Sequence, residues 1–159
     1  MIRHFEPAQR SEPEGQGRFQ LGPALKAGLI AGILLLLIPR GSPWSGISFF
    51  SSVMMGRPVP NGAFMLLPVA CLVHLLLSEV YALGISWFIS NVTQARAVII
   101  GSVIGLMLYL VNLSVVSIFC PDWRTNEAGV LFTHAVFGAI VGGAYRGLRK
   151  RKLAGPLHQ

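Results

Sequence analysis

The chain has 159 residues, enough for one domain, with 53% hydrophobic and only 12% charged residues. A soluble globular domain carries about 25% charged residues, so this chain lacks the charge to solvate an ordinary surface. Its net charge of +7 does not point to nucleic acid, because five of the thirteen basic residues, Arg146, Arg149, Lys150, Arg151 and Lys152, form one run behind an apolar segment, as at the cytoplasmic flank of a membrane helix.

Met1 to Gln20 is polar, with Arg and Glu interleaved with Pro and Gly, and reads as a flexible cytoplasmic tail. The first apolar segment runs from about Leu21 to Ile38 and stops at Pro39-Arg40-Gly41. A secretory signal needs a small-residue cleavage site after its apolar core, whereas this core ends in Ile-Pro-Arg and reads as an uncleaved first helix. Gly41 to Asn61 holds Trp44, Phe49, Phe50, Met54 and Met55 among Ser, Gly and Pro. It is too interrupted for the about 20 apolar residues of a span, and its aromatic residues suit a re-entrant or interfacial segment.

The second span covers Phe64 to Phe88, with Pro68 near its start, where a missing N–H costs least, so that the helix proper begins near Leu66. Ser90 to Arg96 is a short turn, and the third span runs from about Ala97 to Phe119. Cys120 to Glu127 forms the next loop, with Trp123 at the interface, and the fourth span extends from about Ala128 to Ala144. The expected organisation is a tail over 1–20, a membrane domain over 21–147 with its interfacial segment at 41–61, and a basic cytoplasmic tail over 148–159.

With four spans, both termini share a side with the Ser90–Arg96 turn. That side holds Arg3, Arg10, Arg18, Lys26, Arg96 and the five C-terminal basic residues, against Arg40, Arg57 and Arg124 opposite. Positive charge marks the cytoplasmic face, which predicts a multi-pass protein of the bacterial inner membrane with both termini cytoplasmic.

The spans read as one two-helix unit written twice. Gly28 and Gly32 in the first match Gly101 and Gly105 in the third, a spacing that lets helix backbones approach closely. His74 in the second matches His134 in the fourth, each followed at i+4 by a small residue, Ser78 or Gly138. A pseudo-two-fold axis along the membrane normal would set the histidines at similar depth, facing one another. The expected fold is all-α, a four-helix membrane bundle from two repeated hairpins.

Histidine inside a membrane raises a functional hypothesis, and three readings compete. Each imidazole can hydrogen-bond a Ser, a Thr or a backbone carbonyl of a neighbouring helix, contributing roughly 1 kcal/mol of association. The pair can instead ligate one b-type haem from both faces, with the small i+4 residues making room for the ring. It can also bind a metal such as copper. Separately, the methionine group Met54, Met55 and Met65 near Cys71 on the outer side would suit soft Cu(I), although methionine in an apolar chain is usually filler.

Glu79 is the one acid within a span, about 13 Å from the cytoplasmic end at a rise of 1.5 Å per residue. An unpaired buried carboxylate is costly, so Glu79 is expected to be protonated or paired with Tyr81, Tyr109, Asn112 or another subunit. A proton or cation path is the sharper alternative. Asn112, Ser114, Thr133 and His134 are expected to supply interhelical hydrogen bonds. Cys71 and Cys120 are too few for a disulfide framework and lack metal-ligand spacing.

The sequence has no His-Glu-x-x-His, no Walker lysine, no Cys-x-x-Cys-His and no Ser-His-Asp candidate, and no span is broken midway by proline as transporter site helices often are. The run Phe132-Thr133-His134-Ala135-Val136-Phe137-Gly138-Ala139-Ile140-Val141-Gly142 resembles uncharacterised small bacterial four-helix membrane proteins with a duplicated Gly-helix/His-helix hairpin. The likeness covers about residues 25 to 147 and implies a fold, but no activity and no residue roles. The function expected first is a non-catalytic accessory or assembly subunit, associated with the bilayer and with other membrane subunits or itself. A haem-binding electron-transfer subunit using His74 and His134 is the alternative, and a proton or small-solute transporter around Glu79 the third reading.

Overall fold

The computed structural model describes residues 18–37, 67–119 and 127–153. The 1–17 tail, the interfacial segment at 41–61, the three methionines, Cys120 and Trp123 lie outside them. The described residues form four α-helices and no strand: α1 Leu21–Leu37, α2 Leu67–Phe88, α3 Gln94–Phe119 and α4 Glu127–Leu153.

Each helix begins and ends for local reasons. Pro23 and Pro68 stand in the first turns of α1 and α2, where no backbone donor is missed. After Phe88 the chain turns through Ile89–Val92, and the Thr93 carbonyl accepts from the Ala97 N–H at 2.8 Å, opening α3 three residues earlier than the composition suggests. α4 continues helically to Leu153, so the basic run belongs to the helix rather than to a trailing segment.

Three stretches are long and apolar enough to cross a membrane: Cys71–Phe88, Gln94–Ile118 and Ala128–Arg149. α1 is apolar but shorter, at 17 residues, near the lower limit of about 17–25 for a span. At most 33% of each long stretch is buried. Leu72, Leu76 and Val80 on α2, and Ile99, Val103 and Met107 on α3, are exposed. Apolar side chains on every face are what lipid, rather than water, tolerates.

Small residues build the interior. Ala24, Ala27 and Ala31 on α1, Ala82 on α2 and Ala97 on α3 are fully buried, joined by Ile85, Phe137, Val141 and Tyr145. α4 is central, packing most extensively on α3 and also on α1 and α2, whereas α2 and α3 barely touch. Consecutive helices are antiparallel: Gly28 lies against Ala82 and Gly32 against Ser78, while Gly101 lies against Gly138 and Gly105 against His134.

Candidate functional site

The polar groups of the helices gather in two places. At the first, Asn112 on α3 joins α2 to α4. The Tyr81 hydroxyl donates to Asn112 Oδ1, and Asn112 Nδ2 donates to His134 Nε2 at 2.9 Å. His134 Nδ1 donates to the Val130 carbonyl at 2.9 Å. Val130 O and Asn112 Nδ2 leave only one tautomer: the proton sits on Nδ1 and the Nε2 lone pair accepts. Tyr109 packs edge-on against the same ring, with centroids 5.8 Å apart. The chain of bonds therefore fixes three helices relative to one another, each donor meeting an acceptor.

His74 is held within the other hairpin. Its Nε2–H donates to the Gly32 carbonyl of α1 at 3.1 Å, and Ser78, one turn on, returns its hydroxyl to the His74 carbonyl at 2.8 Å. Each histidine thus bonds within its own hairpin, His74 to α1 and His134 to α3. Axial ligation of a haem through Nε2 requires His74 to release Gly32 and His134 to release Asn112. Cys71 is a free thiol.

The glycines hold these pairs together. At Gly101, Gly105, Gly138 and Gly142 an added Cβ would overlap a backbone carbonyl of the facing helix, at Gly138, His134, Gly101 and Ala97 respectively. At Gly28 and Gly32 it would meet side chains instead: Glu79 Oε2 at 2.7 Å and Ser78 Cβ at 3.1 Å. Glu79 makes no bond to Tyr81 or Asn112, which are committed to each other, and its Oε2 is buried with no hydrogen-bond partner among the described residues.

The second polar place is the end of the molecule where α1 begins and α2 and α4 finish. Arg146 Nη1 donates to the Ser90 carbonyl at 3.0 Å, and Arg149 Nη1 donates to the same oxygen. Two guanidinium groups so satisfy the carbonyl end of α2, where helix geometry leaves acceptors unpaired and partially negative. Arg149 is only 2% exposed and lies over the Tyr145 ring, 5.6 Å from its centroid. Phe19 stacks on Tyr145 at 6.4 Å, and the Gln20 N–H donates to the Tyr145 hydroxyl. Composition alone suggests a solvated flank for this run, and the buried arginine departs from it. The available signal is the four-residue step from Tyr145 to Arg149, which puts both on one helix face. Trp87 and Phe88, exposed and in edge contact at 5.0 Å, mark the same end, and aromatic pairs of this kind favour a membrane interface.

Comparison of the chain with protein-family models, with curated proteins and with solved structures finds no match.

Proposed function

We propose that this protein is a four-span integral protein of the bacterial inner membrane, a four-helix bundle built by duplication of a helical hairpin, and that it serves as a non-catalytic accessory or assembly subunit of a larger membrane complex. The observation that carries the reading is the commitment of its two intramembrane histidines to its own backbone and side chains. His134 spends both ring nitrogens on Val130 and Asn112, and His74 spends Nε2 on Gly32. Such bonds stabilise a scaffold and leave no convergent set of reactive groups among the described residues.

Support for the duplication comes from the register. In each hairpin the second glycine lies against the histidine's region and the first glycine lies one turn nearer the basic end. α1 supplies the fourth span, being antiparallel to α2 and apolar apart from Lys26 near its start. With Arg18, Lys26, Arg96 and the α4 arginines at one end, the positive-inside rule puts both termini in the cytoplasm.

The test is made on the protein extracted from its native membrane in mild detergent. A native-gel mass well above that of the single chain, with a reproducible partner, and a featureless reduced-minus-oxidised visible spectrum are expected. A sharp α-band lost in both His74→Ala and His134→Ala would overturn the reading in favour of a b-type haem subunit.

A further inference from the structure

Two buried side-chain groups in the spans stand apart from the bonded sets, the Ser86 hydroxyl and the Glu79 carboxyl, and of the two the carboxyl is ionisable. Glu79 lies in the seam between α1 and α2, its Oε2 buried and without a donor among the described residues. A Cβ on Gly28 would stand 2.7 Å from Oε2 and 3.0 Å from the carboxyl carbon. The carboxyl is therefore seated on bare backbone, in a cradle that exists only because Gly28 has no side chain.

Packing does not require an acid here. Five residues after His134, the equivalent position in the second hairpin is Ala139, and α3 and α4 pack more tightly without a carboxyl. Nor do the described residues around it supply a cation. Lys26 is the one ionisable side chain on α1, and neither it nor Glu79 takes part in an ion pair among them. On α4, which also packs on α2, His134 bonds Asn112 and Val130, Tyr145 bonds Gln20, and Arg146 and Arg149 bond Ser90. Glu79 as a whole is half-buried, with exposed Leu76 and Val80 near it in sequence, while Leu25 and Leu29 near Gly28 are also exposed. A carboxylate in hydrocarbon without a partner is far costlier than the neutral acid.

We infer that Glu79 is a proton-binding carboxyl opening onto lipid at the α1–α2 seam, a site that reacts with lipid-soluble carbodiimides. The acid's proton passes to a carbodiimide nitrogen and its oxygen bonds the central carbon. The O-acylisourea then rearranges to an N-acylurea, with no leaving group, so the adduct retains the whole reagent. Ionised or water-facing carboxylates do not combine this chemistry with this access. The inference rests on α2 lying in the bilayer, and the experiment separates the two.

The full chain in lipid nanodiscs is treated in parallel with dicyclohexylcarbodiimide and with a permanently charged, water-soluble carbodiimide, and the adducts are mapped by peptide mass spectrometry. An adduct at Glu79 with the first reagent alone, lost in Glu79→Gln, is expected. No adduct with either reagent overturns the proton site. An equal adduct with both overturns the lipid-facing position and removes α2 from the membrane. Gly28→Ala retains the acid but fills its cradle. A labelling rate different from that of the unmodified chain is expected, and an unchanged rate shows that the carboxyl is not seated there.

Discussion

The two hairpins carry the same Gly-x-x-x-Gly pattern and use it to different degrees. In α3–α4, glycines face glycines or bare backbone, and four positions have no room for even one Cβ. In α1–α2, the glycines face Ser78, Ala82, Glu79 and Leu75, and the nearest atoms belong to side chains. What sets the closeness of approach is the residue opposite the motif: Gly138 and Gly142 in one hairpin, Ser78 and Ala82 in the other. The tighter hairpin rests on van der Waals contact between backbones, the main source of helix association where lipid removes the hydrophobic drive. The looser one retains room for a carboxyl group.

The most damaging way to break this comparison is to give the second hairpin the first one's residue. Gly138→Ser places a Cβ inside the Gly101 carbonyl, which cannot yield without the helices separating. Destabilisation at or beyond the about 1–3 kcal/mol of ordinary overpacking is expected. Thermal unfolding in detergent reads it as a large fall in midpoint, with Gly101→Ser behaving alike.

How far the sequence reveals these differences depends on what each feature requires. The apolar stretches and the glycine and histidine spacings need only local periodicity, and the helices α2, α3 and α4 lie close to where it puts them. α3 begins three residues early because the Thr93 carbonyl accepts its first bond, and α4 runs nine residues past Ala144 because the basic run continues the helix that composition alone treats as a tail. The Tyr81–Asn112–His134 chain is not legible as such. Its residues stand out as polar groups in apolar spans, but their pairing depends on how α2, α3 and α4 are arranged, which no spacing within one helix states. Arg149 escapes the sequence for the opposite reason: a basic run behind a span is generically solvated, and the Tyr145 ring and the Ser90 carbonyl, which give it buried partners, are brought to it by the fold.

An intermediate effect is expected from the polar bridge that spans the hairpins. Asn112→Ala leaves the His134 Nε2 lone pair and the Tyr81 hydroxyl without these partners. A loss of about 1–2 kcal/mol is expected, in keeping with intramembrane hydrogen bonds averaging about 0.6 kcal/mol with a maximum near 1.7. Tyr81→Phe removes one donor and should cost less. A double-mutant cycle on these two positions measures the Tyr81–Asn112 half of the bridge, and a coupling energy of zero would show that this bond contributes nothing to stability.

The smallest effect sharpens the comparison most, because it reverses the first substitution. Ser78→Gly gives the looser hairpin the residue that the tighter one has at Gly138. Ser78 bonds the carbonyl four residues back on its own helix and touches Gly32 only through Cβ and Oγ, each 3.1 Å from where a Gly32 Cβ would be. Its removal strands no distant partner, since the His74 carbonyl lies within the helical ladder. The packing that the Ser78 side chain provides is offset by the closer approach a second facing glycine permits. Ser78 is buried, and a loss of about 0.5 kcal/mol, the lower end of the cost of glycine within a helix, is expected. Equal and large losses from Ser78→Gly and Gly138→Ser would mean that both hairpins are packed to the same tolerance. A near-neutral Ser78→Gly beside a severe Gly138→Ser would establish that the facing residue, and not the motif itself, decides how closely each pair of helices packs.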